Sequence, residues 1–128
     1  MSVTETVQQY GAALAAGDMA ALEQLLDDNI VWHQPGNHPL AGEHVGKQAV
    51  MRHLANFAEL SGGTFALTPE PTHEHGPFVA MPVRFTAQRS DRQPLDQLGL
   101  DIFRVVEGRI VEVWLMSEDQ RAEDAFWS

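Results

Sequence analysis

The sequence contains no cysteine, which excludes a disulfide framework, a thiolate nucleophile and any Cys-ligated zinc or iron–sulfur centre. Stability must therefore come from packing, alone or shared with a second subunit. Basic residues are scarce as well: eight Lys and Arg against eighteen Asp and Glu give a formal net charge of −10, and the eight are scattered along the chain. Phosphate backbones and anionic headgroups repel such a surface, so nucleic acid and membrane are not expected partners, and the acidity itself reads as a solvated exterior. No stretch approaches the roughly 20 apolar residues of a membrane span, and the opening MSVTETVQQYGAAL lacks the basic and apolar segments of a secretion signal. A cytoplasmic protein is the expectation. A glycine-rich phosphate loop and a nucleophile elbow are also missing, which leaves nucleotide-dependent and serine-hydrolase chemistry without support.

What the sequence does hold is enough for one core: 128 residues, 44% of them apolar, the size of a single domain spanning residues 1–128. Val3, Val7, Tyr10 and Leu14 recur at the spacing of one helical face, which Gly17 ends. Asp18 can cap a second helix with Leu22, Leu25 and Leu26 on its apolar side. NIVWHQPG reads as a short strand closed by Pro35-Gly36. The stretch from there to Gly46, with Pro39, Gly42 and two histidines, has no period and reads as a loop at the rim. Val50, Met51, Leu54 and Phe57 mark a third helix, terminated by Ser61-Gly62-Gly63.

From Thr64 onward the apolar period becomes two, the mark of strands. Pro69 and Pro71 make TFALTPEPTHEHG an edge or bulged strand, while Met81, Val83, Phe85 and Ala87 share one face of FVAMPVRFTAQRS. LDQLGLDIFRVVEG and RIVEVWLMS pair across Glu107-Gly108 as a hairpin, and EDQRAEDAFWS is a short closing helix or a flexible end. Helices first and strands afterwards predict an α+β fold: three N-terminal helices packed on a curved antiparallel sheet, enclosing an apolar pocket. In the last strand Val111, Val113 and Leu115 share one face, and Ile110, Trp114 and Met116 the other. Both faces are apolar. One packs on the helices; the other, with Leu100 and Ile102, predicts a homodimer through the outer sheet face.

Three residues carry the chemical interest. Asp101 interrupts the apolar run LDIFRVV and shares its face with Phe103 and Val105, where a bare carboxylate is costly. Either it pairs with Arg84, Arg104 or another base as a structural ion pair, or it sits protonated in an apolar cavity and donates a hydrogen bond. Tyr10, on the buried face of the first helix, needs a partner for its hydroxyl. His33, on the strand face of Val31, titrates near neutrality and suits a general acid or base, although a histidine on an apolar face also serves simply as a satisfied core residue. His73-Glu74-His75, with His33 and His38 elsewhere, raises the question of a metal, but the spacing fits no recognised ligand set, and neither metal nor cofactor is expected.

The succession of Tyr10 before Gly17-Asp18, then DDNIVWHQPG, AMPVRF, and QPLDQLGLDIFR leading into EGRIVEVW resembles the bacterial ketosteroid isomerases. More broadly it resembles the SnoaL-like polyketide cyclases and the NTF2-like (cystatin-like) cone folds, over nearly the whole chain. The resemblance implies that Tyr10 and Asp101 form an oxyanion hole, two donors aimed at a substrate carbonyl, with Asp101 kept neutral by its apolar site. It also implies an aspartate base at the place where this sequence puts His33, with Gln34 beside it. The expected activity is enolisation-type acid–base catalysis on a small apolar carbonyl or phenol-like compound. His33 would move the proton, Leu14, Phe57, Met81, Phe85, Phe103, Val113 and Leu115 would form the wall, and Trp32 would stand near the mouth. The alternative is a non-catalytic domain of the same fold that binds an apolar ligand or a protein partner.

Overall fold

The computed structural model describes residues 1–128. The first helix, α1 (Val3–Ala16), starts at a capping box in which Ser2 Oγ accepts from the Glu5 amide while Glu5 accepts from the Ser2 amide, and it ends at Gly17 in the left-handed region. Asp18 caps the short α2 (Met19–Leu25) by accepting from the Ala21 amide. The chain then enters β1 (Leu26–Gln34) and β2 (Gly42–Val45) before α3 (Lys47–Leu60). The segment before Gly46 is therefore not all loop: β2 pairs antiparallel with β1 from Val31↔Val45 to Gln34↔Gly42. Aperiodic composition concealed a strand of which only one residue is half-buried and the rest are exposed.

The remaining strands are β3 (Ala66–Pro69), β4 (His73–His75), β5 (Phe78–Ala87), β6 (Leu95–Val106) and β7 (Arg109–Ser117), followed by α4 (Gln120–Trp127). They form one sheet in the order β2-β1-β7-β6-β5-β3, with β4 also on β5. Every pairing is antiparallel except β1 with β7. The expected edge strand is two short ones, separated opposite Pro82. The Glu70 amide donates to the Pro82 carbonyl, so the side of β5 on which proline lacks an N–H faces this break and loses no ladder bond. The expected hairpin is present, with Glu107 and Gly108 both at positive φ.

The fold is α+β, a curved sheet with helices against its inner side, but the helices do not all precede the sheet: β1 and β2 separate α2 from α3, and α4 closes the C-terminal end. Val7 and Tyr10 from α1, Leu22 from α2, Val50 and Phe57 from α3, and Phe126 and Trp127 from α4 meet Met81, Val83, Phe103 and Val113 of the sheet in one core. Face parity fails at one place. A bulge between Arg104 and Val105 sets Val105 opposite Ile110 but Arg104 opposite Glu112. Ile110 is therefore fully buried together with Val113, and not on the outer face with Trp114 and Met116 as strict alternation predicts. That outer face carries Leu100 beside Met116 and Ile102 beside Trp114 as cross-strand pairs.

Candidate functional site

A cavity of about 80 Å³ lies between the helices and the inner sheet face, several times the space one water molecule needs. Its apolar wall includes Leu14, Trp32, Phe57, Phe65, Phe85 and Leu115. Of the wall residues expected from sequence, Leu14, Trp32, Phe57, Phe85 and Leu115 reach the cavity. Met81, Phe103 and Val113 are buried in the core without lining it. Trp32 stands inside, only 4% exposed, and not at the mouth. Gly99 shapes one wall: a Cβ there would meet the Phe85 ring and the Met116 carbonyl, each at 2.9 Å, so the missing side chain is the room the ring occupies.

Five polar side chains open into this space: Tyr10, Gln34, Asp101, Ser117 and Glu123. Tyr10 comes from α1, where it packs against Phe103 (ring centroids 5.4 Å apart) and Trp32 (6.5 Å). Asp101 comes from the middle of β6, opposite Met81 on one side and Leu115 on the other. Both are at least nine-tenths buried, at 2% and 8% exposure, and neither hydroxyl nor carboxyl bonds to any protein group. The arginines considered as partners for Asp101 are engaged elsewhere. Arg84 holds Asp96 through two bonds of 2.8 Å, and Arg104 lies 3.6 Å from Glu112.

Burial, reinforced by the nearby Glu123, pushes the Asp101 carboxyl up to about 7. Burial, with Asp101 as the second cause, pushes the Tyr10 hydroxyl well above its ordinary value. Burial thus shifts both groups toward their protonated, hydrogen-donating forms.

The placement of His33 is a correction. In β1 the buried positions are Leu26, Ile30, Trp32 and Gln34, all of one parity, so His33 turns outward with Val31. It stacks on Trp114 of the outer face at 5.6 Å, and its Nε2 lies 2.7 Å from Glu112. The apolar residues Ile30, Val31 and Trp32 are consecutive and leave parity undecided; the packing of Trp32 on Tyr10 settles it. Of the two residues that the isomerase resemblance offers for the base, Gln34 and not His33 faces the cavity.

Gln34 is held from behind. The Trp32 indole donates to its Oε1 at 3.1 Å, and His53 Nε2 reaches the same oxygen at 2.9 Å. An indole N–H can only donate, which fixes that atom as the carboxamide oxygen and makes Nε2 the protonated nitrogen of His53. His53 Nδ1 remains buried without a partner. Burial first, then His44 and His38, push its pKa down to about 3, so the ring is neutral, stacked on His44 at 3.9 Å. With its oxygen committed, Gln34 presents its N–H₂ group to the cavity.

The C-terminal segment supplies the group that composition did not reveal. Glu123 on α4 is 5% exposed and accepts from Ser117 Oγ (2.8 Å) and Gln120 Nε2 (3.0 Å). The helix is fixed at both ends. Asp124 accepts from the Asn37 amide, and its carboxylate occupies the space beside Gly36 that a Cβ would fill; Arg89 and Arg92 donate to the Phe126 carbonyl. The signal for Glu123 was its spacing of three and four from Phe126 and Trp127, legible once the tail is read as a helix. His53 likewise sits on the face of Val50 and Phe57. No group of three or more His, Asp or Glu side chains converges as a metal site, and His73 and His75 lie exposed on β4.

Residues 7–113 match the family model of the SnoaL-like domain. An uncharacterized protein of Mycobacterium tuberculosis is 31% identical over 126 residues, 97% of this chain and 95% of its own length. A protein of unknown function with a cystatin-like fold from Xanthomonas campestris superposes with a TM-score of 0.95 at 38% identity, covering 100% of this chain and 99% of that one. IdmH, a proposed polyketide cyclase of Streptomyces antibioticus, superposes with a TM-score of 0.77 over 92% and 93% of the two chains. At 20% identity that likeness is one of fold alone.

Proposed function

The chain belongs to the SnoaL-like domain family, and from the site built inside that fold we propose that it is a cofactor-independent acid–base enzyme acting beside the carbonyl of a small, apolar, uncharged compound. The observation that carries this reading is the pair Tyr10 and Asp101: two buried donors, unbonded to protein, opening onto one apolar cavity. A buried polar group without a partner costs about 1–3 kcal/mol. Two retained at one spot are best explained by a ligand atom that accepts from both. Removing a proton next to a carbonyl develops negative charge on the oxygen, and donors already fixed in a dry site stabilise it without reorganising. The Gln34 amide supplies a third donor on the same wall. No Lys or Arg lines the cavity, so an anionic ligand would meet only carboxyls and dipoles. The outer sheet face, where Trp114 and the 49%-exposed Met116 stand beside Ile102 and Leu100, we assign to a second copy of the chain.

Thermal shift with phenol, cyclopentanone and toluene tests the binding half: phenol and the ketone should raise the melting temperature more than the hydrocarbon. Exchange of cyclopentanone α-protons into D₂O, followed by NMR, tests the chemistry. A domain that binds phenol but never accelerates exchange is the non-catalytic alternative. The small cavity volume is the observation that speaks for it.

A further inference from the structure

Proton transfer from carbon needs an acceptor, and most of the cavity's polar groups cannot serve. Gln34 is an amide, Ser117 a neutral hydroxyl, and Tyr10 is held protonated by burial. His33, the residue expected from sequence, lies outside, and His53 stands behind Gln34. Two carboxyls remain, and their surroundings differ. Asp101 has no hydrogen-bond donor at all. Glu123 accepts from Ser117 Oγ and Gln120 Nε2, and it lies in the first turn of α4, where unpaired amides favour an anion.

Resting on the reading above, we propose that Glu123 is the proton acceptor of this cavity and Asp101 its protonated partner, two carboxyls that line one cavity and together hold a single proton, on Asp101, without a hydrogen bond between them. Two like charges in one apolar cavity disfavour joint ionisation. Other groups facing the pair are Tyr10 from α1, Gln34 from β1 with neutral His53 of α3 behind it, Ser117 from β7, and Gln120 and Asp124 on α4. None is a cation that would hold both carboxyls ionised. Burial raises the Glu123 carboxyl as well, but its bonds from Ser117 and Gln120 offset part of that rise, whereas Asp101 has no donor to offset its own; donors favour the charged form of the group they reach, so the negative charge is assigned to Glu123.

The step balances within the substrate. Glu123 takes a proton from the carbon beside the carbonyl, the C–H electron pair becomes the C=C bond of an enolate, and the carbonyl π pair moves onto oxygen, where Tyr10 and Asp101 donate. Glu123 then returns the proton to the same carbon, or to the far end of a conjugated system, which makes the net reaction a double-bond isomerisation. The class of substrate is therefore an enolisable ketone, uncharged and without a carboxylate or phosphate of its own.

Carbon-13 NMR of the side-chain carboxyls, recorded on the full chain across the pH range, tests the proton's location. Glu123 should titrate below Asp101, and Glu123→Gln should lower the Asp101 midpoint toward the ordinary carboxylate range. Ser117→Ala, a milder change, should raise the Glu123 midpoint. Reversed order, or an Asp101 midpoint indifferent to Glu123→Gln, overturns the placing of the proton on Asp101. In D₂O the exchange of cyclopentanone should fall about 100-fold or more in Glu123→Gln. Wild-type exchange that persists in folded Glu123→Gln overturns Glu123 as acceptor. No exchange even in the wild type removes the proposed activity and the acceptor role with it, yet leaves the titration result standing, so the two failures read differently.

Discussion

Asp101→Asn keeps the shape of the cavity and its hydrogen-bond donor but removes the proton that can leave. In the folded chain burial, with Glu123 adding to it, raises this carboxyl from 3.8 to about 7. The fold therefore binds that proton more tightly than the unfolded chain does. The stability this contributes is fully present below the unfolded value and is lost as pH rises through about 7. That change in proton affinity corresponds to about 4 kcal/mol, a large share of the total stability of a domain this size. Urea unfolding of both proteins at intervals from about pH 4 to about pH 8 reads it as a difference: the variant should gain about 4 kcal/mol on the wild type across that range. The histidines are present in both and drop out to first order, and the same comparison made in a Glu123→Gln background removes the coupling to Glu123. A flat difference refutes a buried, unpaired Asp101. A difference of opposite slope means that the carboxylate is ionised and paired with a cation, the structural alternative that the sequence left open.

Further expectations follow from the same geometry. Tyr10→Phe removes one oxyanion donor and should cost about 3 to 4 kcal/mol in rate, a few hundredfold slower cyclopentanone exchange by NMR; Asp101→Leu should cost a similar amount. His33→Ala, on the outer face, should leave that exchange within about twofold of wild type, whereas a residue that moves the proton would cost far more. Trp114→Asp places a charge in the outer apolar face and should convert a dimer to monomers in light scattering; a wild type that is already monomeric at micromolar concentration refutes the assembly.

Much of the architecture follows from local pattern. The face of α1 that buries Val7 and Tyr10, the Gly17 and Asp18 caps, the inward row Met81, Val83, Phe85 and Ala87, and the Glu107-Gly108 turn were all legible, because periodicity and turn chemistry act over a few residues. Asp101 was legible as an anomaly for the same reason: a carboxyl in an apolar run is costly wherever the strand packs. Sequence could not say which of its two remedies applies, ion pair or protonation. That depended on Arg84 finding Asp96 and Arg104 finding Glu112 across neighbouring strands.

Other features existed only in the tertiary structure. Strand parity puts His33 on the face opposite Trp32 and Gln34 but does not say which face is inside; Trp32 packing beside Tyr10 and under His53 decides that. The bulge opposite Arg104 moves Ile110 inward against simple alternation. The cavity's polar set draws on α1, β1, β6, β7 and α4, elements joined only by long-range contacts. Glu123 shows the difference most clearly. Sequence alone gives a charged residue in an acidic tail, which by composition belongs in water. Docking of α4 through Asn37, Arg89 and Arg92 brings it into the cavity that Asp101 also lines, where burial raises both carboxyls and only Glu123 has donors, Ser117 and Gln120, to offset the rise.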